Sequence, residues 1–194
     1  MTADRRHDVL RIVPRGDGPE IRVRPGSAVA LPDDRALLAG LLGTDRRALA
    51  RLELAGRRLD RRSLARRVRA GIAVVSDAPV AAELTVLDHL AAAATHATAT
   101  AELVAAPLLA DRGGDPAGIL SGGERRVLAW LTARLTAPRA VVLDRAGTGL
   151  DADALAWAHA TVDGWLDAGV AVVVRVGRVE ERRWLTHRAD GTPR

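Results

Sequence analysis

Hydrophobic and polar positions change their rhythm along this chain, and the elements follow the change. Ile21 and Val23 alternate with charged neighbours in Glu20 to Val23, and Val9 to Val13 and Ser27 to Leu31 read as two more short strands. Gly16-Asp17-Gly18 and Pro25-Gly26 supply the turns between them. A helical stretch over roughly Asp34 to Leu42 ends at Gly43. Leu52 to Leu54 reads as a strand, Asp60 as the cap of a basic helix over Arg61 to Arg69, and Ile72 to Val75 as a buried strand. Leu84 to Thr98 is expected to be one helix, alanine-rich after Leu90, with a small helix and a loop over 99 to 118.

The last third is the most regular. Ser121 and Glu124 have the spacing of a capping box, and Val127, Leu131 and Leu135 form the apolar stripe of the helix they open. Pro138 stops that helix. Ala140 to Leu143 is an apolar strand ending at Asp144. A helix over Asp153 to Leu166 brings Trp157 and Trp165 to the core, and after Gly169 the stretch Val170 to Val176 reads as one apolar strand. Apolar strands between helices, without alternation, predict a parallel sheet covered on both faces, so the fold class is α/β.

Composition narrows the chemistry. With 194 residues the chain suits one domain. The sequence has no cysteine, which excludes disulfides, thiolate catalysis and Cys-ligated metal, and its five histidines are scattered without metal spacing. The net charge is +5, and all basic charge is arginine because lysine is absent. Asn, Gln, Phe and Tyr are absent too, so any mechanism that needs Lys or Gln is excluded. The arginine cluster from Arg57 to Arg69 fits a solvated helix face or a phosphate-binding surface. No early aromatic accompanies it to stack on bases, and no nucleic-acid partner is expected. No run of about 20 apolar residues occurs, and the N-terminal segment lacks the apolar stretch of a secretory signal, so a cytoplasmic protein is expected.

Two segments carry the candidate chemistry. In LSGGERR, Leu120 to Arg126, a diglycine allows close approach to the backbone, Ser121 brings a hydroxyl, and the helix start brings free N–H groups. Such a combination suits a phosphate, and it equally suits a plain capped helix. In AVVLDRAGTGLD, Ala140 to Asp151, a strand ends in Asp144, the usual place for a magnesium-binding carboxylate in a nucleotide site.

At their spacing these segments resemble the ATP-binding cassette family of transporter ATPases. LSGGE, with Ser121, Gly122, Gly123 and Glu124, is similar to the family's signature motif. VVLD is similar to the Walker B strand, which makes Asp144 the candidate Mg ligand, and GTGLD, with Gly149, Leu150 and Asp151, is similar to the D-loop. ELTVLDHL resembles the opening of the helical subdomain, LARRVRAGIAVV the approach to the Q-loop, and LLAGLLG the helix behind the Walker A loop. The resemblance implies a P-loop-NTPase-like ABC cassette. It would have a mostly parallel central sheet, an N-terminal antiparallel β part and a reduced helical subdomain over about 78 to 119, all in one domain, 1–194. LTVLDHL with LSGGE and GTGLD leans toward branched-chain amino acid import cassettes, whereas the short chain leans toward small exporter cassettes.

The chain departs from the family where a cassette holds its own nucleotide. The Walker A loop cradles phosphates with glycines and one lysine. Here PDDRA follows Leu31, about eight residues short of the family pattern and without lysine. Asp33 and Asp34 fall where phosphates would sit, repelling a triphosphate by about 1 kcal/mol each even in well-screened water. Ser76 stands at the Q-loop glutamine, Arg145 at the catalytic glutamate and Gly177 at the switch histidine. No catalytic residue is therefore assigned, and negligible turnover is expected of the chain alone. In this family two cassettes sandwich two nucleotides head to tail, the signature of one facing the Walker A of the other. The resemblance thus implies a non-catalytic ABC transporter subunit with three partners in view: ATP and Mg at a shared dimer interface, a second cassette with an intact Walker A, and a membrane permease that would hold it peripherally at the inner face of the cell membrane. An active ATPase with an atypical phosphate loop, an arginine-rich nucleic-acid-binding module and a non-functional paralogue are the alternatives.

Overall fold

The computed structural model describes residues 9–31, 33–77 and 80–175. Two four-stranded sheets organise them. The first is antiparallel, in the order β2-β1-β4-β5, built from β1 (Leu10–Pro14), β2 (Ile21–Val23), β4 (Leu49–Leu54) and β5 (Arg57–Arg58). The second is parallel, in the order β3-β8-β7-β6, built from β3 (Ala28–Leu31), β6 (Ile72–Val75), β7 (Ala140–Asp144) and β8 (Ala171–Arg175). The parallel register aligns Leu31 with Arg175 and Arg175 with Asp144, so the carboxyl ends of these strands form one edge.

Alternate residues of the parallel strands point into different cores, which is why their sequences run apolar without alternation. Val142, Val173 and Ile72 join Leu10, Ile12 and Leu52 of the antiparallel sheet, together with Leu37 and Leu41 of α1 (Arg35–Leu42). Val141, Leu143, Val172 and Val174 face α5 (Gly122–Leu135) and α6 (Ala152–Asp167) through Trp130, Ala158, Val162 and Trp165. Trp130 stacks on Trp165 at 5.5 Å and meets Trp157 edge-on at 6.3 Å. Trp165 is buried, while Trp157 is half-buried and lies under the Arg134 guanidinium at 5.6 Å. A third core joins α3 (Val86–Ala91) and α4 (His96–Val104) to α5 through Leu90, Leu103, Val127 and Leu131.

Three sequence expectations need correction. The helix expected over 84 to 98 is two helices, with Thr85 capping α3 and Thr95 capping α4 through their hydroxyls. The break between them lets Leu90 and Leu103 enter the same core. The basic helix is only α2 (Leu64–Arg69), with Ser63 at its N-cap position. Asp60 does not cap it but pairs with Arg58, Nε to Oδ1 3.0 Å. Finally, β8 is not apolar throughout, since it ends in the buried Arg175. Val176 and Gly177 lie outside the described residues.

Candidate functional site

Ser121 caps α5 by a complete capping box. Its Oγ accepts from the Glu124 N–H at 3.3 Å, and the Glu124 carboxylate accepts from the Ser121 N–H at 2.7 Å. Glu124 also pairs with Arg112. The Ser121 N–H, foremost, and the Arg112 charge hold the Glu124 carboxyl below the usual carboxylate value. The two glycines behave differently. A Cβ on Gly123 would meet the Gly149 carbonyl oxygen at 2.5 Å, so this glycine is where the D-loop-like turn packs against the helix start. Among the described residues, a Cβ on Gly122 would meet nothing within 4 Å, and the residue is exposed.

The turn after β7 is held from several sides. Gly149 sits at φ 78° and Arg145 at φ 51°, both left-handed, and a side chain at 145 accepts that conformation only at some strain. The Trp130 indole donates to the Ala146 carbonyl at 3.0 Å. Leu150 packs between two cores, and Asp151 caps α6 by accepting from the Ala154 N–H at 2.8 Å. Arg145, which directly follows Asp144, is exposed.

Charged side chains fill the carboxyl edge of the parallel sheet. Arg175, buried at 6% exposure, places Nη1 3.1 Å from Asp33 Oδ1 and Nε 2.8 Å from Asp144 Oδ1. Neither Nε nor that Oδ1 makes a hydrogen bond, so the second contact is an ion pair off the hydrogen-bonding direction. Beyond Asp144 lies Arg126 of α5, buried at 2% exposure, which pairs with Asp77 just past β6 and approaches the Asp144 carbonyl at 3.5 Å. Burial, foremost, pushes the Arg126 pKa below its usual value despite the Asp77 charge. Asp34 faces the start of α1, its Oδ1 accepting from the N–H groups of Ala36 at 2.7 Å and Leu37 at 3.2 Å. Ser76, half-buried, follows β6 beside this row.

The structure therefore brings Asp33, Asp34, Ser76, Asp144 and Arg145 to one edge of the sheet. Ser121 to Glu124 form a separate patch with Gly149, while Gly177 lies outside the described residues. Sequence reasoning missed Arg175 and Arg126. The first had a signal, a charge at the end of an apolar strand run. The second is four residues before Trp130 and seven before Ala133, on the buried face of α5.

Mg-ATP does not fit this edge. The carboxylate that would bind the metal contacts an arginine, and the helix N–H groups that would bind phosphate are taken by Asp34. Among the described residues no group of three or more His, Asp or Glu side chains could hold a metal ion. Nor is any helix among them long and apolar enough to cross a membrane.

No protein-family model and no curated protein matches the sequence. Solved structures do match the fold. The ADP conformation of an ATP-binding cassette of an ABC transporter superposes with a TM-score of 0.68 at 16% identity, covering 92% of this chain and 85% of that one. A nucleotide-free ATP-binding cassette from an ABC transporter gives the same values. The ATP-binding subunit of an ABC transporter superposes with a TM-score of 0.74 at 19% identity, covering 91% of this chain and 82% of that one. The fold is that of an ABC transporter ATP-binding cassette.

Proposed function

We propose that this chain is the non-catalytic half of a cassette pair in an ABC transporter. Ser121, Gly122 and Gly123 would be lent to ATP and Mg held by a second cassette with an intact Walker A. The observation that carries the reading is Gly122. It is exposed, a Cβ added there would meet no described residue within 4 Å, and it stands first in a helix whose leading N–H groups have no intrahelical acceptor. About half a positive charge gathers at such a helix start, and a glycine there lets an anion come close. Exposed Leu108, at 41%, has its Cδ1 3.9 Å from where a Cβ on Gly123 would stand and would be covered by the second cassette, as would exposed Ile119 two residues before Ser121.

A groove of about 930 Å³ between α2, α3 and the end of α5 would seat a helix of the permease. Leu64 and Leu84, both exposed, line it with Val68 and Ala93.

The test uses the chain co-expressed with a complete cassette. Gly122→Glu adds a helix former and a negative charge at a helix N-terminus, both favourable to this fold. The same charge would repel a partner-held triphosphate. The expected result is ATP turnover by the complex reduced at least tenfold, with the chain as stable as before. Ser121→Arg should block closure of the same site. Turnover equal to wild type in both variants rules the lending role out.

A further inference from the structure

We infer that the chain's own nucleotide site is filled by its own side chains, with Asp34 in the place of an anion and Arg175 in the place of a cation. The inference rests on the cassette reading above but concerns the other end of the molecule. In the resembled family this sheet edge holds a phosphate chain on helix N–H groups and a divalent metal on the strand-end aspartate. Here both partners are internal. The Asp34 carboxylate accepts from the Ala36 and Leu37 N–H groups, which is what a phosphate oxygen does at a helix start. Arg175 brings its guanidinium to 2.8 Å from Asp144 and 3.1 Å from Asp33, which supplies the positive charge a metal would bring.

The row continues across the sheet. Asp33, Arg175, Asp144, Arg126 and Asp77 alternate in sign from β3 to β6, three carboxylates against two guanidiniums. Both arginines are buried, and a buried charge persists only where opposite charges compensate it. Their stems and forks occupy volume at the sheet edge as well as charge. The loss of lysine and of the glycine loop therefore does not leave a hole. The edge is filled by the chain's own charged side chains and is neutral to within one charge, so the chain can keep a cassette shape for a partner whether or not nucleotide is present.

The experiment uses the isolated full chain and Mn2+ as the probe, with bound metal counted by electron paramagnetic resonance and stability read from urea midpoints. Wild type should bind no Mn2+ at 1 mM, and neither Mn2+ nor inorganic pyrophosphate should move its midpoint. Arg175→Gln removes the internal cation and leaves Asp144 and Asp33 facing each other. It should lower the urea midpoint and gain Mn2+ binding, with part of the lost stability restored by the metal. Arg175→Lys keeps the charge and should stay folded and metal-free. Mn2+ binding by wild type overturns the inference, and so does Arg175→Gln that neither loses stability nor binds Mn2+. Should Arg175→Gln fail to fold, Arg175→Lys decides. A folded, metal-free lysine variant supports charge compensation, and an unfolded one overturns it. Failure here leaves the lending role standing, because no second cassette and no turnover enter the measurement.

Discussion

Replacing Arg67 by methionine tests whether a residue from the arginine-rich segment is structural. Arg67 is fully buried at 0% exposure, whereas its neighbour Arg66 is exposed. Its guanidinium donates to four backbone carbonyls: Leu59 at 3.2 Å, Asp60 at 2.8 Å, Leu41 at 2.7 Å and Gly40. Gly40 and Leu41 end α1, so the cation closes the carbonyl end of that helix, next to the left-handed Gly43 at φ 77°. Hydrogen bonds to a charged group contribute about 1.5–3 kcal/mol each. Returning a buried guanidinium to water recovers several kcal/mol, so the sum of four bonds overstates the loss. Burial indeed pushes the Arg67 pKa down. A net destabilisation of about 3–4 kcal/mol remains, because methionine fills the stem's volume but leaves the carbonyls without a donor. At a urea slope of about 2–3 kcal/mol/M, the midpoint falls by about 1–2 M. Arg66→Met should stay within about 0.5 kcal/mol. Arg67→Lys should lose about half as much as methionine, since a compact ammonium cannot fork to both α1 and the Leu59–Asp60 turn. A loss under about 1 kcal/mol for Arg67→Met, at unchanged slope, would refute this account.

Other expectations use the same preparations. Gly123→Ala drives a Cβ to 2.5 Å from the Gly149 oxygen and should cost about 1–3 kcal/mol, seen as an earlier urea midpoint, while Gly122→Ala should be neutral or stabilising. Glu124 is held below its ordinary pKa in the folded chain, so it binds fewer protons folded than unfolded. Its contribution is present above the ordinary carboxylate value and lost as pH falls through the lowered one. Urea midpoints measured below about pH 5 should fall less steeply for Glu124→Gln than for wild type. Calorimetry on the isolated chain with Mg-ATP should show no dissociation constant tighter than about 1 mM, and a micromolar value would contradict the filled sheet edge.

Most of the fold was legible because it follows from local pattern. The runs at Ile72–Val75, Ala140–Leu143 and Val170–Val174 announce a sheet covered on both faces, and Ser121 with Glu124 announces a helix start. Most of the missed features turn on partners far away in sequence. Two of Arg67's four acceptors, Gly40 and Leu41, lie 27 and 26 residues upstream, and Arg126 finds Asp77 across 49 residues, whereas Asp60 is taken locally by Arg58. In a chain whose only long cation is arginine, the residue type does not distinguish a buried guanidinium from a solvated one. The break before Thr95 has the same origin, since alanines allow a continuous helix and only the shared core of Leu90 and Leu103 selects the turn. Asp34 is expected from sequence to repel a phosphate at this loop; in the fold its carboxylate accepts from the Ala36 and Leu37 N–H groups at the start of α1.

The signature-like patch divides into residues with work inside the chain and one without. Ser121 and Glu124 cap α5 reciprocally, and Glu124 also ties Arg112 to the helix. Gly123 admits the Gly149 carbonyl, Gly149 supplies a left-handed turn, and Asp151 caps α6. A cassette with no partner would keep all five for its own stability. Their presence beside a filled nucleotide edge therefore does not distinguish a lending role from a relic. Gly122 has no such work among the described residues: a Cβ there would meet none of their atoms within 4 Å, and as the first residue of α5 it neither caps nor packs. Under the proposed lending role, an exposed glycine at this helix start is what lets an external anion come close. That is why Gly122→Glu carries the decisive contrast: the fold gains from the substitution, and the proposed partner site loses.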